Sequence, residues 1–234
     1  MARGTIKAMA GLGMTALLLA GCSPDGDNGD GNGNGPEGGD PVATEMRSWE
    51  PCEVLDNLQP FIDFMGITEF STSPGEYIPD SAGYGEASLD PDAIICGANI
   101  VLPDVTEGTS GRGVLTVKIV PLDNEEQAIE SYNGRAPNAV GPVENIRSEI
   151  GDPWDEGVLL STVEESGATE YVDVVARDGQ WVFQVELQFT GDFYAQDGGE
   201  PAYPFTNDEL YSWLVDTYLP AVNQTVNDRA AGGE

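Results

Sequence analysis

Between residues 183 and 189 the chain alternates strictly. Trp181, Phe183, Val185, Leu187 and Phe189 fall on one side of an extended backbone, and Gln184, Glu186 and Gln188 on the other. A strand sends successive side chains to opposite faces, so the segment predicts a strand with one face in a core and the other partly wet. Residues 171–177 predict its hairpin partner, with Asp178-Gly179 as the tight turn. Residues 113–120 predict a further strand that carries Val114, Thr116, Lys118 and Val120 on one face. Residues 94–102 predict another, and residues 143–150 and 158–163 carry weaker versions of the pattern.

Elsewhere the period lengthens. Leu210, Leu214, Tyr218, Val222 and Val226 form one stripe with Trp213 beside it, and Thr206 with Glu209 makes a capping box at its start. Pro220 predicts a kink in that helix. Asp123 to Glu126 fits a second capping box, ahead of an apolar side made by Ala128, Ile129 and Tyr132 and a stop at Asn133-Gly134. Val54, Leu55, Leu58, Ile62 and Met65 approximate a third stripe, broken at Pro60 and closed by Gly66. Residues 67–93, rich in Gly, Pro, Ser and Asp, read as a long loop. The order predicts an α+β fold: a mainly antiparallel sheet with an N-terminal, a middle and a long C-terminal helix packed on it.

The first residues follow another logic. Arg3 and Lys7 precede an apolar run from Ala8 to Ala20 that is interrupted by Gly11 and Gly13 and is short for a membrane span. It ends in Leu19-Ala20-Gly21-Cys22, which resembles the lipobox of bacterial lipoproteins. That resemblance implies cleavage between Gly21 and Cys22 and a diacylglycerol on the Cys22 thiol. Ser23 to Asp40 holds only Gly, Asp, Asn, Glu, Pro and Ser, a composition that reads as a charged, flexible tether. The expected organisation is a signal peptide over residues 1–21, the acylated cysteine and tether over 22–46, one extracytoplasmic domain over 47–228 and a disordered tail over 229–234.

Cys52 and Cys96 remain. In an exported domain an even remainder reads as a disulfide. Two free buried thiols and a two-cysteine metal site are the other readings. The bridge would close a loop of about 45 residues, worth about 4 kcal/mol in the chain-entropy picture.

The 234 residues include 9 Lys+Arg against 41 Asp+Glu, a net charge of −32, and no His. Nothing basic is left to neutralise phosphates, which excludes most nucleic-acid binding. The lack of His excludes Ser-His-Asp and Cys-His catalysis and every His-ligated zinc or iron site. So acidic a surface resembles that of proteins working in high salt, where self-repulsion is screened, and it excludes anionic partners more firmly than it identifies a cationic one.

The lipobox, the tether, Trp49-Glu-Pro-Cys52 ahead of Val54-Leu55, Gly66 closing a helix and Cys96 ahead of a strand together resemble the small actinobacterial lipoproteins grouped as a domain of unknown function. The resemblance spans roughly residues 47–190. It implies an envelope location, a compact α/β domain and a Cys52–Cys96 bridge, and it carries over no catalytic residues.

Candidate chemistry is sparse. The acid pairs Glu125 with Glu126, Glu164 with Glu165, and Asp152 with Asp155 and Glu156 could serve a glycosidase only if two carboxylates faced each other across a pocket. Adjacent acids in so acidic a chain read as solvated surface. Ser110-Gly-Arg112-Gly reads as the loop into a strand, and Arg112, Lys118, Arg135, Arg147 and Arg177 as ion-pair partners. Trp49 and Trp154 read as packing residues. The better hint is Phe193, Tyr194, Tyr203 and Phe205, gathered between the last strand and the last helix, where aromatic residues suit a partner-binding loop. The expectation is a non-catalytic lipoprotein, held on the bilayer through Cys22, that binds an envelope protein or glycan with no cofactor and no metal. The rivals are a carboxylate-dependent hydrolase of envelope polymers and a sensing or assembly accessory of a membrane complex.

Overall fold

The computed structural model of the chain describes residues 40–71, 93–136, 146–164 and 167–232. Gly21, Cys22, most of the expected tether, the bulk of the 67–93 loop and Glu165 lie outside the described residues. Among the described residues seven strands form one antiparallel sheet: β1 (Glu69–Ser71), β2 (Ile94–Thr106), β3 (Thr109–Pro121), β4 (Ile146–Ile150), β5 (Glu156–Val163), β6 (Thr169–Asp178) and β7 (Trp181–Thr190). Their order across the sheet is β1-β2-β3-β7-β6-β5-β4. A long hairpin (β2–β3) and a four-strand meander (β4–β7) are thus joined through β3 and β7, in register from Gly113 opposite Phe189 to Pro121 opposite Trp181. The α+β expectation holds.

Two strands run further than alternation suggested. Residues 103–106 and 109–112 extend the two strands of a hairpin that turns at Gly108, whose φ of 72° suits glycine. Pro103 lies where the β2–β3 register shifts, between Val101 and Asp104, so a bulge accommodates a residue with no N–H to donate. The β6–β7 turn sits one residue later than read: Asp178 pairs with Trp181, leaving Gly179 and Gln180 as the loop. A φ of 53° at Gly179 alone gives the pattern of a type II′ turn.

The chain joins the fold earlier than expected. Helix α1 (Pro41–Met46) buries Ala43 and Met46, so residues 41–46 belong to the domain, not to a tether. Asp40 caps it, accepting from Val42 N at 2.8 Å and from Gln180 Nε2 at 2.7 Å. Helix α2 (Pro51–Val54) carries Cys52, which is bonded to Cys96 of β2 with the Cα atoms 4.9 Å apart. Asp56, Asn57 and Leu58 then all take positive φ, turning the chain into α3 (Gln59–Met65), and burial of Leu58 holds this strained corner in place. Gly66 closes α3 at φ 65°, as its position suggested.

Helix α4 (Glu125–Arg135) is capped by Asn124, one residue later than read, and runs through Asn133-Gly134. Its buried side is Ala128 and Tyr132, while Ile129 is exposed. The last elements are α5 (Phe193–Gln196), α6 (Asn207–Trp213), a π-helical segment (Leu214–Tyr218) and α7 (Leu219–Ala230), which extends into the expected 229–234 tail. The Thr206–Glu209 capping box forms. An apolar stripe of strict period four drifts by about 40° per step around an ordinary α-helix. The wider π turn takes up part of that drift, just ahead of Pro220, and Leu210, Leu214, Tyr218, Val222 and Val226 all stay buried.

That stripe and α1–α3 cover one sheet face. Phe61 packs edge-on against Tyr218 at 4.6 Å, Tyr218 lies 6.3 Å from Phe183, and Trp154 lies 4.9 Å from Trp181. The main core therefore holds Leu115, Val117, Ile119, Phe183, Val185, Leu187 and Val174 beneath the helices. On the other face α4 covers only a smaller cluster of Val120, Val158, Leu160, Val175 and Val182.

Candidate functional site: the open rows of the sheet

The rest of that second face is best read row by row, because residues paired directly across strands share a face. Beneath α4 the rows are apolar. Next come Lys118, Gln184 and Val175, then Thr116, Glu186 and Asp173, then Val114, Gln188 and Tyr171, with Asn99 extending this last row onto β2. Beyond it lie Arg112 on β3, Thr190 on β7 and Thr169 on β6. The face thus passes from apolar through charged to neutral hydrogen-bonding side chains.

Lys118 is almost fully enclosed, at 2% exposure, and its Nζ lies 2.9 Å from Glu186 Oε1. Gln184 Nε2 donates to the same oxygen at 2.7 Å, and Arg135 of α4 donates to Gln184 Oε1 at 3.2 Å. The wet-face ion pair expected of Lys118 is therefore present. Asp173 stands directly opposite Glu186 on the neighbouring strand. Tyr171 donates to Glu164 at 3.3 Å, and burial with this nearby carboxylate raises the phenol above its ordinary range.

Past the charged row is a recess of about 310 Å³ lined by Asn99, Arg112, Val114, Thr169, Gln188 and Thr190. The Thr190 hydroxyl accepts from Arg112 N at 3.1 Å and donates to Arg112 O at 3.0 Å, so a side chain prolongs the ladder where the β3–β7 pairing ends. The glycines beside Arg112 are sites of close approach. A Cβ on Gly111 would collide with Tyr203, and one on Gly113 would meet Gln188 O at 2.5 Å. Ser110-Gly-Arg112-Gly is therefore strand, not the loop it resembles, and Arg112 is exposed.

The expected aromatic binding loop is not an exposed cluster. Tyr203 and Phe205 are each only 5% exposed and stack on each other at 5.4 Å, closing the end of the main core. Tyr203 donates its hydroxyl to Thr190 O at 2.7 Å, and burial with Asp192 and Glu170 nearby raises its pKa well above the ordinary phenol range. Phe193 is half-buried against the same core in α5, and only Tyr194 stands exposed. Trp49 and Trp154 are core residues, as read.

Several of the candidate acids hold basic side chains in place. Asp155 and Glu156 both bind Arg177, at 2.9 and 2.6 Å, and Glu125 approaches it at 3.7 Å. Arg47 pairs with Asp123 at 3.1 Å, and Arg229 lies over Trp49 at 5.3 Å and 3.9 Å from Glu53. Among the described residues no group of three or more His, Cys, Asp or Glu side chains could hold a metal ion, and no helix is long and apolar enough to cross a membrane. A second open recess, of about 420 Å³, lies on the helical side between Phe64, Phe205, Asp208 and Glu209.

Alternation alone singles out Gln184, Glu186 and Gln188 as facing away from the core. Asn99, Thr169 and Thr190 carry no such signal, since only strand order and register bring them beside Arg112. The chain matches no protein-family model, no curated protein and no solved structure.

Proposed function

We propose that the chain is a non-catalytic, lipid-anchored module on the outer face of the cytoplasmic membrane, and that it binds a polar ligand or partner of the cell envelope at the Asn99–Arg112 end of its sheet. Cys22, at the end of the lipobox-like Leu19-Ala20-Gly21-Cys22, is the acylated residue in this reading, and the Gly/Asp-rich segment after it is the spacer. The observation that carries the binding role is the abrupt change along one sheet face. One end of it is sealed by α4, and the other end offers Asn99, Thr169 and Gln188 around a recess. A sheet face with uncommitted donors and acceptors suits a hydroxyl- or amide-bearing ligand. Glu186, which with Asp173 is the best-placed pair for hydrolysis, already accepts from both Lys118 and Gln184.

Two measurements test the proposal. Fractionation of cells should find the wild-type chain with the membrane and Cys22→Ala released or unprocessed; unchanged acylation of the variant overturns the anchor. Titration with envelope glycan fragments should shift amide resonances along the Asn99–Gln188 row without consuming the fragments. Cleavage that depends on Asp173 or Glu186 would instead make the protein a hydrolase.

A further inference from the structure

We infer that the recess at the Arg112 end of the sheet recognises a carboxylate, and that its ligand is a small monoanion whose carboxylate is flanked by hydroxyl or amide groups. The inference rests on the proposed binding role of this face and adds the ligand's chemistry.

Its basis is the contrast between Arg112 and four other described cations. In a chain with 41 acids and 9 bases, a cation is expected to find an acid. Arg47, Lys118, Arg177 and Arg229 each have one within 4 Å. Among the described residues the Arg112 guanidinium has no side-chain partner, although it is exposed and free to reach one. The acid in its own row, Glu69, stands one strand further on with Val101 between them. The other recess residues are neutral.

Arg112 is also held firmly at its root. Thr190 clamps its backbone on both sides, and Gly111 and Gly113 let Tyr203 and β7 close against the strand, so Arg112 alone projects from this stretch toward the open face. Around it, the side chains of Asn99 and Thr169 have no hydrogen-bond partner among the described residues, and Gln188 has only a long contact of 3.5 Å to Tyr171 Oη. A guanidinium grips a carboxylate through two parallel N–H bonds, and neutral amides and a hydroxyl at its side can read the neighbouring groups. A volume of about 310 Å³ suits a ligand of one sugar or one acylated amino acid.

The net charge of −32 sharpens the selection. A polyanion would feel the whole acidic surface, whereas a monoanion in contact with Arg112 feels chiefly that one cation once salt has shortened the screening length to about 10 Å or less. Affinity should therefore hold or rise between low and moderate salt, the opposite of an ordinary basic patch.

The test uses the chain from residue 22 onward with Cys22→Ser, titrated with glucuronate, N-acetylalanine and neutral glucose while backbone amide shifts are followed by NMR. The expected result is a response to at least one carboxylate, centred on Asn99, Arg112, Thr169 and Gln188, with none to glucose at the same concentration. A response to glucuronate alone identifies a sugar acid, and one to N-acetylalanine alone an acylated amino acid. Arg112→Gln should weaken binding at least tenfold at an unchanged melting temperature, Arg112→Lys should be intermediate, and Gln188→Ala should weaken it several-fold. No response to either carboxylate, equal binding of glucose, or unchanged affinity in Arg112→Gln overturns the inference. If envelope glycans still bind the neighbouring rows in Arg112→Gln with wild-type affinity, the carboxylate reading falls while the binding role stands. If nothing perturbs this face, both fall.

Discussion

Lys118 and Glu186 meet at 2.9 Å on adjacent central strands, and the two ends of the pair are unequally enclosed: the lysine side chain is 2% exposed and the glutamate 24%. Removing one charge from such a pair is costly chiefly through what it leaves behind. Glu186→Ala removes the carboxylate 2.9 Å from an almost fully enclosed ammonium, and a loss of about 3 kcal/mol is expected. Lys118→Met leaves a carboxylate that still has Gln184 and some water, and about 1 kcal/mol is expected. Urea titration of both variants checks the asymmetry, and equal losses would contradict it.

Glu170 gives a pH-dependent prediction. It is buried on β6, its carboxyl accepts from Asn207, and its Oε2 has no hydrogen-bond partner among the described residues. Burial raises its pKa, the Asn207 bond only partly opposing the shift. Tyr203 and Tyr211 face it, with Asp192 and Asp208 close to those two phenols. A carboxyl whose pKa is raised by folding favours the native state below its ordinary pKa, and that contribution is lost as pH rises through the folded value. Glu170→Gln should therefore match the wild type in mildly acidic buffer and exceed it at pH 7 by about 1 kcal/mol. Paired melting curves across that range provide the measurement.

The Cys52–Cys96 bridge spans a sequence separation of 44 and ties α2 to β2, which otherwise meet through side-chain packing. The double variant Cys52→Ser/Cys96→Ser should lose up to about 4 kcal/mol, the entropy of the freed loop. Non-reducing peptide mapping of the native protein should recover the two cysteines linked, and free alkylation of both would contradict the bridge.

Salt should stabilise the fold. With a net charge of −32 and several of its few cations already paired locally, as Arg177 is with Asp155 and Glu156, the dominant long-range effect is repulsion among acids. Screening shortens that repulsion to about 3 Å at 1 M salt. Melting temperature should rise by several degrees between low and molar salt; a flat or falling profile would show that local pairs outweigh the net charge.

Much of the fold was legible because its signals are local. Period-two alternation set the faces of β3, β6 and β7, and the Thr206–Glu209 box and Gly66 marked helix ends correctly. The misreadings have one cause. Pro103 and Gly111 are loop residues by type, yet a partner strand, a register shift and the Tyr203 ring put them inside a hairpin. Phe193, Tyr203 and Phe205 suit a binding loop by composition, yet the end of the sheet needed closing and they close it. Residues 41–46 continue a polar tract, yet Met46 found a core to enter.

The candidate site was hardly legible at all. The sequence by itself determined which side chains share a face within each strand, how few cysteines there are and how far acids outnumber bases, because these follow from period, count and composition. Only the tertiary structure decided that β7 lies between β3 and β6, and so that Thr190 and Gln188 stand beside Arg112 while Glu186 stands beside Lys118. Strand order and register are set by the whole core at once, with the helices choosing which face to cover. A cation without an acid partner among the described residues, in a chain where acids are everywhere, is a property of that arrangement and not of any stretch of residues.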